Sequence, residues 1–304
     1  MRGGRTATRD GNRRRWRASG LLALACAAAC SSPASPPPTS ARDISSPTTP
    51  TPPAVPAPEA PPLPFAGRTD VDAYALFAAL GDTLPALAAA PAVREDWRRL
   101  RLRHALPEDD ALYADFVRVR LAFEATRAGG LWGLEWRITD REPRSDAVWA
   151  QWRTAKAIVD ALPPTTATAE CDELSALFAV TAHGLGLSRR SRVGLLWPTA
   201  NHTVAVWAFD APGGREVRVM VPTSQIFLDD MQSLDTDAFD PWVQKRLYDY
   251  TRRDAAQTRL PASLARRFVA EARRSGGLSR GELQALRNRR EYDQRRAASA
   301  GQEH

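Results

Sequence analysis

Between residues 70 and 127 apolar side chains recur at the three- and four-residue spacing of helices buried along one face. Tyr74, Leu76, Phe77, Leu80 and Leu84 form one stripe and predict a helix over 70–90. Leu112, Phe116, Val119, Leu121 and Phe123 form a second over 109–127, which Gly129 and Gly130 end. Trp97, Trp132, Trp136, Trp149 and Trp152 lie in or beside this region. Their large apolar area assigns them to the core, a sugar-stacking platform being the alternative. After the breaker Pro163-Pro164 a further stripe of Leu174, Leu177, Phe178, Thr181 and Leu185 predicts a helix over 170–186, with stop signals at Gly184 and Gly186. The period then changes. Stretches 193–198, 202–209 and 215–222 are rich in β-branched and aromatic residues, and Asp210-Ala211-Pro212-Gly213-Gly214 makes a turn between the last two. Helices before and after a small antiparallel sheet make an α+β fold.

Charge alters the picture once it is divided along the chain. The 304 residues carry 42 Lys and Arg against 35 Asp and Glu, a net of +7. Seven Arg and one Asp in the first 17 residues account for +6 of it, and residues 245–304 hold a further +8. The 227 residues between them are therefore acidic, at −7. A uniformly basic nucleic-acid binder is excluded as the default. The Arg-rich start runs into an uncharged apolar stretch too short to span a bilayer and ends in Ala27-Ala28-Ala29-Cys30-Ser31, the layout of a secretory signal. That ending resembles the lipobox of bacterial lipoproteins. The resemblance implies a signal over 1–29 and a lipidated Cys30, with Cys26 after Ala23-Leu24-Ala25 as the competing site. Ser31 in the second position implies sorting to the outer membrane, facing the periplasm or the cell surface.

Residues 31–65 contain 13 of the 24 Pro and almost no charge, a composition that stays extended and cannot bury a core. Residues 30–66 thus form a lipidated spacer, able to hold a domain on the order of 100 Å from the membrane. The rest of the chain divides into a helical part over 67–165, a core over 166–240 and a basic helical region over 241–304. Paired arginines in the last region suit a solvated helix face, or attraction to anionic envelope polymers and lipid headgroups.

The candidate chemistry sits in 166–240. Once Cys30 is lipidated and the signal removed, Cys171 is the one remaining thiol, and it has no disulfide partner. It opens the third helix, where unpaired backbone N–H groups and the dipole favour a thiolate, against the opposing charge of Glu170, Asp172 and Glu173. His202 opens the second strand, a position from which an imidazole could serve as its base. His183 near the helix end complements the dipole. Cys171, His183 and His202 lack the spacing of a zinc site, and no metal or other cofactor is expected.

Cys at a helix start, a Leu-Phe helix ending in Gly-Leu-Gly-Leu, a strand, and His opening the next strand resemble the transglutaminase-like, papain-like cysteine superfamily. The resemblance covers about a fifth of the chain. It implies a Cys171 nucleophile, a His202 base and acyl-enzyme hydrolysis or transfer at an amide, with an envelope protein or peptidoglycan peptide as substrate. The family places an Asp before Pro-Thr to orient the His; here Val221 precedes Pro222-Thr223. Thr223, Ser224 and Gln225 are polar substitutes, Gln225 being the preferred third member, with Asp229 and Asp230 beyond. An orienting group missing from such a triad costs on the order of 10⁴ in rate. A catalytically inactive binding or scaffold module in the envelope is therefore the alternative to an amidase, peptidase or transamidase.

Overall fold

A computed structural model describes residues 62–139, 144–155, 165–224, 234–236, 238–248 and 258–275. All of them fall in one unit, Glu59–His304. Cys26, Cys30, most of the spacer, Gln225, Asp229, Asp230 and the tail beyond residue 275 lie outside the described residues.

The predicted helix over 70–90 is three elements. β1 (Asp70–Asp72) leads into α1 (Ala73–Gly81), and α2 (Leu84–Ala89) comes next. Asp72 starts α1 by accepting from the Ala75 N–H at 2.8 Å. The break has a local cause. Thr83 gives both its N–H and its hydroxyl to the Leu80 carbonyl, and Pro85 in the next turn has no N–H to continue the ladder. Leu76, Phe77 and Leu80 are buried as the stripe requires, whereas Tyr74 is 66% exposed. α3 (Pro91–His104) is hidden in the sequence by its charge, although Val93, Trp97 and Leu100 make a buried helical face. α4 (Asp110–Thr126) takes its N-cap from Asp109 and matches the second predicted helix within a residue at each end.

Short elements complete this part: β2 (Leu134–Trp136), α5 (Asp146–Thr154) and β3 (Ala167–Ala169), with β2 and β3 paired in parallel. β7 (Arg259–Pro261) pairs antiparallel with β1 and leads into α7 (Ala262–Ser275). Trp97, Trp132, Trp149 and Trp152 are buried, and Trp136 is half-buried. Trp132 stacks on Phe268 of α7 at 4.7 Å, and Trp152 meets Trp149 edge-on at 5.1 Å. These aromatics are packing, and they lock α5 to α7.

α6 (Cys171–Gly184) and a meander of β4 (Ser191–Thr199), β5 (His202–Asp210) and β6 (Glu216–Val221) hold the candidate site. The strand order is β4-β5-β6, all antiparallel. α6 packs Leu174, Leu177 and Phe178 on the face that carries Val193, Leu195, Ala205, Trp207 and Val219. Each buried Val, Leu or Phe among them stabilises the fold by about 1.5–3 kcal/mol. The other face carries Leu196, Val204, Val206 and Met220, covered by Phe239 and Leu247. The central strand is thus apolar on both sides. Among the described residues no single helix is long and apolar enough to cross a membrane.

Candidate functional site

Cys171 is the first residue of α6 and only 7% exposed. The helix start is fixed by a capping box. The Glu170 N–H donates to Glu173 Oε2 at 3.0 Å while the Glu170 side chain caps the third residue of the helix. Thr139, from the segment after β2, donates its N–H to Glu170 at 2.6 Å and shares its hydroxyl between Glu170 and Glu173. Two carboxylates therefore already occupy the positive end of the helix dipole beside the thiol.

The thiol lies against β5. Cys171 Sγ donates to Asp172 Oδ1 at 3.5 Å, and the Thr203 backbone N–H is directed at the sulfur. The Thr203 hydroxyl donates to the same Asp172 oxygen. Burial pushes the thiol up to about 11; the Thr203 N–H opposes this, and the Asp172 and Glu170 charges add to it. Burial also raises the Asp172 carboxyl, while hydrogen bonds from Thr203 and Cys171 oppose that rise. Desolvation and acidic neighbours thus outweigh the helix start, and at neutral pH Cys171 is a thiol.

His202 is the neighbour of Thr203 and is also buried. Successive side chains of a strand point to opposite faces, so only one of the pair can meet α6. Thr203 is that one. The imidazole of His202 lies on the other face, its ring centre 5.4 Å from that of Phe239. Burial holds it down to about 4, so it is neutral at pH 7. Among the described residues the partners of Cys171 Sγ are Asp172 and Thr203; His202 is not one of them.

The strand that would bring an orienting Asp presents Val221, fully buried, beneath α6 and paired with Ala205. The Pro-Thr that comes after it has a structural use: Thr223 Oγ1 and Ser175 Oγ share a hydrogen bond of 3.0 Å that ties α6 to the end of β6. The Thr223 carbonyl accepts from Ala128 N–H at 2.8 Å. Ser224 Oγ is buried with no hydrogen-bond partner among the described residues. Gln225, the preferred third member, lies outside the described residues.

His183 closes α6 twelve residues after Cys171, about 18 Å away along the helix. Cys171 and His183 therefore cannot share a metal ion. No cluster of three or more potential ligands suited to a metal occurs among the described residues.

Thr203 and Asp172 are the contacts that sequence reasoning missed as a pair. Its one signal was parity: residues 202 and 203 cannot both face the helix. Compared with protein-family models, curated proteins and solved structures, the chain finds no match.

Proposed function

We propose that the chain is an exported lipoprotein, held in the envelope through Cys30 and the 30–66 spacer. Its core is a transglutaminase-like module kept for binding or scaffolding rather than for acyl-enzyme chemistry. One observation carries the second statement: Thr203, not His202, faces Cys171. A nucleophilic Cys needs a base within hydrogen-bond reach to form thiolate and to protonate the leaving group. Here the sulfur is paired with a carboxylate, which disfavours thiolate. The family's orienting position is an apolar side chain packed under α6.

The test is complementation in the source cell. Cys171→Ser, stable and exported, should restore whatever a deletion removes, and Cys30→Ala should release the protein from the membrane fraction. A fully null Cys171→Ser at wild-type abundance would sink the non-catalytic reading.

The amidase, peptidase or transamidase reading keeps one observation in its favour. The Thr203 N–H and the start of α6 converge on Sγ, an arrangement that could also steady an oxyanion at that place. It requires the imidazole to leave Phe239 and cross to the α6 face. Its substrate would be an envelope protein or peptidoglycan peptide.

A further inference from the structure

The outer face of the meander, opposite α6, carries a second polar site. Arg192, Ala208 and Arg218 stand side by side across β4, β5 and β6. Ala208 between the two arginines is buried, and beside Arg192 and Arg218 opens a cavity of about 340 Å³. Its wall takes Arg192, Glu216 and Arg218 from the sheet, Lys245, Arg246 and Leu247 from the segment before Tyr248, and His183 from the end of α6, so it opens along the β4 edge. That volume lies at the small end of ligand cavities, which run roughly 300–1,000 Å³. Four cations thus face one carboxylate.

The roles of the four differ. Arg218 is buried and spends its guanidinium on structure: it donates to the carbonyls of Pro241 at 3.0 Å, Gln244 at 2.7 Å and Lys245 at 2.8 Å, and to Glu216 at 2.6 Å. Its charge also sits 4.2 Å from the centre of the Trp242 ring. It therefore clamps the strap 241–245 onto the sheet. Two more contacts seat the strap. Trp197 N–H donates to the Gln244 side chain at 2.8 Å, and Leu195 and Tyr248 exchange two backbone hydrogen bonds of 2.8 Å each. Gly194 allows this approach, since a Cβ there would lie 2.8 Å from Leu247 Cβ.

A strap held at so many points presents Lys245 and Arg246 in fixed places. Among the described residues neither side chain is in an ion pair. Arg192 reaches Glu216 at 2.5 Å, but Arg218 already serves that carboxylate, so Arg192 has donors to spare. An excess of positive charge in a concave, preformed site attracts oxyanions, and a guanidinium fork matches them in shape.

We infer that this cavity binds a small ligand bearing more than one oxyanion group, carboxylate or phosphate, held by Arg192, Lys245 and Arg246, with Arg218 as the positioning residue. Cys171, at the opposite end of α6 from His183, does not line the cavity, so the inference stands whatever the thiol does.

Calorimetric titration of the full-length protein with citrate and with pyrophosphate, at ionic strength held constant with sodium chloride, tests it. At least one probe is expected to bind saturably at one site; the two arms tell carboxylate from phosphate. The double variant Lys245→Ala, Arg246→Ala should lose about tenfold or more in affinity with an unchanged melting temperature. The control Arg98→Ala, Arg99→Ala, which removes two exposed cations on α3, should keep it. Absence of saturable binding of either probe up to about 10 mM, or equal affinity in the double variant, overturns the proposal.

Discussion

The ionisation of Cys171 can be measured directly. In a chain with Cys26 and Cys30 replaced by Ser, Cys171 is the sole thiol. Only thiolate reacts with iodoacetamide. A thiol at its ordinary value of 9.0 is about 1% ionised at pH 7, whereas one at about 11 is ionised to roughly one part in ten thousand. Ionisation alone thus makes the folded protein label about 100-fold more slowly than the same chain in denaturant, and burial of the sulfur slows it further. The rate should climb close to tenfold per pH unit until about pH 10. Asp172→Asn removes both the neighbouring charge and the anionic acceptor of the S–H, so it should speed labelling at pH 7. The same perturbation affects stability. Because the folded value lies above the unfolded one, the native state keeps its proton longer as pH rises. Stability is therefore lost between about pH 9 and 11, by about 3 kcal/mol in full. Labelling at pH 7 as fast as in denaturant, and abolished by His202→Ala, would refute this reasoning and restore a working dyad.

Two other expectations rest on single residues. His202 is held at about 4 by burial, against 6.5 unfolded, so the unfolded chain takes up a proton that the native state refuses. The melting temperature should fall as pH drops from 6.5 toward 4, with a contribution of about 3 kcal/mol that His202→Gln removes; identical acid profiles would count against it. At the far end of α6, a Cβ on Gly184 would sit 2.1 Å from Phe77 Cδ2. Gly184→Ala should therefore cost about 1–3 kcal/mol in thermal or denaturant unfolding, and Phe77→Leu alongside it should recover part of the loss.

Much of the architecture was legible in the chain. α4 and α6 announce themselves because a helix with one buried face writes its period into the sequence, and because Asp109 and Glu170 supply the caps. The three strands of the meander are equally plain, since β-branched and aromatic runs are punctuated by the Gly-rich turn. α3 escaped notice because eight charged or His side chains hide its three buried ones. The split of 70–90 escaped because a hydroxyl bonding back to Leu80 is a matter of geometry, not of pattern.

By itself the sequence determined where Cys171 and His202 stand: one at a helix start, the other at a strand start two elements later. It also divided the charge among a basic first stretch, an acidic middle and a basic last stretch, because composition needs no fold. Only the tertiary structure decided which side of β5 meets α6. A strand covered on both faces reads as an unbroken apolar run from Val204 to Phe209, so its period carries no sign of which residues face the helix. The packing of α6 on one face and of Phe239 and Leu247 on the other settles that choice. It places Thr203 at the thiol and His202 behind the sheet. The same long-range packing folds the strap 241–248 over Arg218 and gathers cations from three separate segments into one cavity, a juxtaposition that no local pattern along the chain records.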